Sequence, residues 1–118
     1  MFFTFLSCNS DNLELKEEVT LIIQDEGYSE INLTEDLRKR QLILFGAKIG
    51  GTSNDGHLNL DLIINKNSNL CGIEMHENDI SITRKVSNYV AVDNNLYIHY
   101  RDNFIEKPDF IEVTLTFQ

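Results

Sequence analysis

The chain has 118 residues, 42% of them hydrophobic and 25% charged, which suits one ordinary globular domain and is too short for two. Ten Lys+Arg against nineteen Asp+Glu give a net charge of −9, and such a surface repels nucleic-acid backbones and anionic lipid headgroups. No run of about 18 apolar residues is present, so no transmembrane helix is expected.

Residues 1–7, MFFTFLS, are nearly all apolar and lack the alternation of a half-buried strand; Cys8 follows at once, and then polar Asn9, Ser10, Asp11 and Asn12. Leu6-Ser7-Cys8 resembles the end of a lipobox, the bacterial lipoprotein signal that is cut before a cysteine bearing diacylglycerol. Ser10-Asp11-Asn12-Leu13-Glu14 is similar to the acidic surface-export signal of Bacteroidota lipoproteins. The resemblance covers about the first fourteen residues. It implies lipidation of Cys8, a polar tether, and an outer-membrane or cell-surface location, with the periplasm as the alternative. Residues 1–7 contain no Lys or Arg and are short for such a signal, as a start codon assigned too far downstream would leave them. Residues 1–17 are accordingly read as a truncated signal and tether, and residues 18–118 as one domain. A terminal strand is the other reading of residues 1–7, since Phe and Thr favour strands.

The domain begins with alternation at Val19, Leu21 and Ile23, and Asp25-Glu26-Gly27 marks a turn. Thr34 to Arg40 is the one helical segment expected, with Thr34 as cap, Glu35 and Asp36 at its start and Arg38 to Arg40 at its end. Leu42-Ile43-Leu44-Phe45 is continuously apolar, the pattern of a central strand covered on both faces. Leu58, Leu60, Leu62 and Ile64 give the clearest period of two, closed by polar Lys66 to Asn69. Ile80 and Ile82 bracket Ser81, and Ile111, Val113, Leu115 and Phe117 end the chain with one apolar face.

Between residues 88 and 100 the pattern suggests a hairpin. A three-residue loop, Asp93-Asn94-Asn95, pairs Val92 with Leu96 and Val90 with Ile98, which gathers the aliphatic side chains on one face. Asn95 would take the left-handed conformation. Tyr89, Ala91, Tyr97, His99 and Arg101 then share the opposite face, and Tyr89, Tyr97, His99 and Arg101 form a candidate binding face. A solvated face with cross-strand aromatic pairs is the plainer reading of the same residues.

No catalytic or metal motif is found. His57, His76 and His99 lie in separate segments, and in a strand Cys71 points away from Glu74 and His76. Ser53-Asn54-Asp55-Gly56 lacks the acidic spacing of a calcium loop and reads as a turn. If Cys8 is lipidated, Cys71 is a small buried hydrophobe; otherwise a Cys8–Cys71 disulfide in an oxidising compartment is the alternative. The expected fold class is all-β, a two-layer antiparallel β-sandwich of about seven strands, with a small β-barrel as the alternative. The expected role is a non-enzymatic, cofactor-free envelope or surface module. It would be joined to the membrane through a lipid on Cys8 and would bind a protein, peptide or glycan. Protein is favoured over glycan because no tryptophan is available to stack on sugars. Two other expectations stand beside it: a small acidic inhibitor or immunity-type protein masking a basic partner, and a structural envelope protein.

Overall fold

Period-two alternation recurs in strand after strand, so each contributes one apolar side to a common interior. A computed structural model describes residues 16–51 and 54–118; the Cys8 signal and the Cys8–Cys71 pairing lie outside the described residues. Eight strands are present among them, against about seven expected: β1 (Glu17–Ile23), β2 (Gly27–Ile31), β3 (Gln41–Gly50), β4 (His57–Ile64), β5 (Ser68–His76), β6 (Ser81–Val90), β7 (Leu96–Asp102) and β8 (Phe110–Phe117). One short helix, α1 (Glu35–Arg38), joins β2 to β3. Its start is where the sequence placed it, since the Leu37 backbone N–H donates to the Thr34 hydroxyl at 3.2 Å.

The strands form two four-stranded antiparallel sheets. The first runs β1-β8-β3-β6 and the second β2-β7-β4-β5. The pairs β1–β8, β2–β7, β3–β6 and β4–β5 are nested, as in one long hairpin with the β4–β5 turn at its tip. Wrapping that hairpin also sets β8 against β3 and β7 against β4. This is the eight-stranded jelly-roll form of the β-sandwich. Among the described residues each sheet keeps two free edges, and the strands do not close into a barrel. Asn65 and Lys66 at the tip both have positive φ, 53° and 67°, as a tight turn matched to strand twist requires.

The interior is filled from both sheets. Phe45, Leu115 and Phe117 of the first sheet, and Leu58, Leu60, Leu62 and Ile98 of the second, are fully buried. The apolar run at 42–45 does belong to a central strand, but only one of its faces is covered: Leu42 and Phe45 enter the core while Leu44 faces outward. An irregularity in the ladder between Leu42 and Leu44 accounts for the unbroken apolar run, because an extra residue lets the alternation slip.

The hairpin expected at 88–100 is not formed. Val90 pairs with Gln41 in the first sheet, whereas Leu96 pairs with Ile31 and Ile64 in the second. Residues 91–95 are therefore an arch between sheets. The left-handed residue sits two positions earlier than expected, with Asn94 N–H donating to Ala91 O at 3.0 Å and Asp93, not Asn95, at positive φ of 62°. An arch and a hairpin ask for the same polar turn and the same alternation. Burial decides between them, since Ala91 and Leu96 reach the interior from opposite sheets. Substituting Leu60→Ala should lower the unfolding free energy in urea titration by about 2–5 kcal/mol, while Ile22→Ala, at a side chain 51% exposed, should change it by no more than about 0.5 kcal/mol.

Candidate functional site

On β7, Leu96, Ile98 and Tyr100 point inward, and Tyr97, His99 and Arg101 project from the outer face of the second sheet. Register supplies their neighbours. Tyr28 and Asp61 flank His99, Glu30 and Ile63 flank Tyr97, and Asn59 lies beside Arg101. The Tyr28 and His99 rings stack with centroids 4.2 Å apart and planes 7° from parallel. The Lys66 ammonium, carried by the β4–β5 turn, sits 5.0 Å from the Tyr97 ring centroid and 5.8 Å from that of Tyr28, within range of cation–π attraction. Arg101 Nη2 lies 3.3 Å from Asp61 Oδ2, and Asn69 Nδ2 donates to Asp61 Oδ1 at 2.9 Å. Ile63 is only 8% exposed although it lies on this outer face, so these side chains form a packed layer of their own.

Two of the side chains expected on this face lie elsewhere. Tyr89 is on β6 of the first sheet, opposite Leu42, and packs against the core; Ala91 is buried. Both were assigned through the hairpin register, and the arch removes that register. The Tyr89 hydroxyl is buried beside Asn94 without a hydrogen bond of good geometry, and burial pushes its pKa up. Tyr28, Lys66 and Asp61 were missed for the converse reason, because they join the face only through pairing of β2 and β4 with β7.

The remaining sequence candidates are scattered. His57 and His76 face each other across β4 and β5 with ring centroids 5.8 Å apart, and His76 Nε2 is 3.8 Å from Glu74 Oε2. His99 lies apart from them in its stack with Tyr28. Among the described residues no three His, Cys, Asp or Glu side chains converge as a metal site. Cys71 points to the interior side of β5 opposite Leu62 and is half-buried, while Glu74 and His76 are exposed. Burial pushes its thiol pKa up against the opposing pull of Arg84, which suits an inert small hydrophobe.

At one end of the core a polar cluster ties down the segment after β7. The fully buried Asp102 carboxylate accepts from the Tyr100 hydroxyl and from Lys107 Nζ at 2.7 Å, and Lys107 also reaches Glu26 at 3.0 Å. Hydrogen bonds to Asp102 and Glu26 push Lys107 up, while Lys107 and then the Asp102 backbone N–H hold Glu26 down. Burial, reinforced by Asp102, pushes the Tyr100 hydroxyl far up. A buried carboxylate needs these donors, because an unpaired one is costly. The cluster is thus a structural clasp joining the β1–β2 turn to the 103–109 segment.

No protein-family model matches the chain, and no curated protein matches it significantly. The pKa directions set the pH behaviour of the clasp. Glu26 is lowered on folding, so its contribution is present above about pH 4.3 and is lost as pH falls through the folded value. Tyr100 and Lys107 are raised, so their contributions are present below about pH 10 and are lost as pH rises further. Urea denaturation from pH 3 to 11 should therefore show Lys107→Met to be less stable than the parent near neutrality, with the gap narrowing at both extremes.

Proposed function

We propose that the chain is a lipid-tethered envelope or cell-surface module that binds a protein ligand, without catalysis, through the outer face of the second sheet. One observation carries this reading: Tyr28, Tyr97 and His99 lie together around a small apolar centre at Ile63, with Lys66 and Arg101 beside them. Tyr and Arg are enriched at protein interfaces, and Tyr buries a large area while ordering only two torsions. Tyr28 is 50% exposed, so a partner would still remove substantial aromatic surface from water.

In a chain of net charge −9, this face sets Lys66 and Arg101 among Glu30 and Asp61, so its charges are close to balanced and its aromatic surface, rather than a net charge, would carry recognition. The lipid tether rests on the Cys8 motif, and β1 begins at Glu17, shortly after the acidic export-like segment.

Expressed with its native upstream sequence, the protein should be recovered from membranes as a species beginning at acylated Cys8 by intact-mass analysis. Cys8→Ala should release it into the soluble fraction, and an unacylated wild-type chain that retains Met1 would overturn the tether. For the binding face, a photo-crosslinking residue placed at Tyr97 or Tyr28 should yield a discrete protein adduct on intact cells. The same residue at Val90 should not, and Arg101→Ala should reduce the Tyr97 adduct severalfold. Equal labelling from all three positions would refute the assignment.

A further inference from the structure

The outer face of the first sheet is built differently. Its register sets three cross-strand rows side by side: Glu18–Thr116–Leu44–Lys85, Thr20–Thr114–Gly46–Thr83 and Ile22–Glu112–Lys48–Ser81. The middle row has a glycine at its centre. A Cβ on Gly46 would stand 3.2 Å from the Thr83 hydroxyl and 3.8 Å from Thr114 O, so only a glycine lets the Thr83 hydroxyl sit this close over the floor of the groove. The cavity measures about 300 Å³ and is lined by residues of all three rows, at the low end of the size range of small-molecule sites.

We infer that this groove is a binding site for a small polyhydroxylated ligand, an uncharged or amino sugar unit. Its polar groups face the opening and are not spent on one another. Thr116 is 7% exposed and lines the groove between the Glu18 and Leu44 positions of its row. Glu18, Lys48 and Glu112 make no ion pair among the described residues, whereas Arg101 and Asp61 on the opposite face are already joined. Thr114 meets Thr20 only at 3.5 Å, the outer limit of a hydrogen bond.

The lining also decides the ligand class. Threonine hydroxyls both donate and accept, carboxylates accept, and the Lys48 ammonium donates, an inventory that matches closely spaced hydroxyls capable of both roles. An apolar ligand would leave these groups desolvated and unpaired, which disfavours it. Two carboxylates against one ammonium disfavour a phosphate or an acidic sugar. The site is independent of the second-sheet face, and neither depends on the other being occupied.

Titrating the ¹⁵N-labelled full-length chain with glucose, galactose, glucosamine and glucuronate, followed by NMR, tests the inference. At least one of the first three should give saturable shifts centred on Gly46, Thr83, Thr114 and Thr116, with a dissociation constant of about 10 mM or tighter. Thr114→Val and Glu112→Gln should each weaken that binding about fivefold or more, with thermal melts confirming an intact fold. The inference is overturned if none of the three sugars gives saturable shifts there. It also fails if both variants bind as the parent does, or if glucuronate binds more tightly than the uncharged sugars.

Discussion

The apolar layer between the two sheets is the constraint on which the other features depend. Phe45, Leu115 and Phe117 meet Leu58, Leu60 and Ile98 there, and each strand spends one side on that contact. The opposite sides are released as two outer faces with separate chemistry. Even the clasp at Asp102 follows from this layer, since the inward side of β7 runs Leu96, Ile98, Tyr100 and then Asp102. The last two positions carry polar atoms at the end of the core, where partners from the adjoining loops can still reach them.

Much of this was legible in the residues themselves. Alternation at 58–64 and 111–117 identified β4 and β8 and their inward sides, because two periods or more of apolar residues leave little freedom of register. The strand β2 was not legible. Gly27-Tyr28-Ser29-Glu30-Ile31 has one strong aliphatic residue, and it is held as a strand by pairing with β7 rather than by its own pattern. The arch at 91–95 was misread as a hairpin because local turn chemistry does not say which sheet the next strand will join. Tyr97, His99 and Arg101 were assigned through the hairpin register, and they keep a common face because the alternation of β7 does not depend on that register. Tyr28 and Lys66 needed long-range pairing, and Gly46 gained meaning only once Thr83 and Thr114 were set on either side of it.

The two outer faces contrast in how far their polar groups are already engaged. On the second sheet, stacking, cation–π contact and the Asp61 network hold the side chains in fixed positions. Such a surface is preordered, so a partner loses little side-chain entropy on contact. On the first sheet, hydroxyls and charges that make no ion pair among the described residues surround the groove at Gly46. One face is suited to shape and aromatic surface, the other to hydrogen bonding. With its two sheets back to back, the domain presents these chemistries in opposite directions.

The nested pairing has a consequence in time as well as in space. Strand β8 lies between β1 and β3 and is hydrogen-bonded to both, yet it is the last of the eight described strands in chain order. Until Phe117 has left the ribosome, β1 has no sheet to join and the lower half of the interior has no Val113, Leu115 or Phe117. The first sheet therefore cannot be completed until the whole of β8 is available, and its many long-range pairings make that step slow.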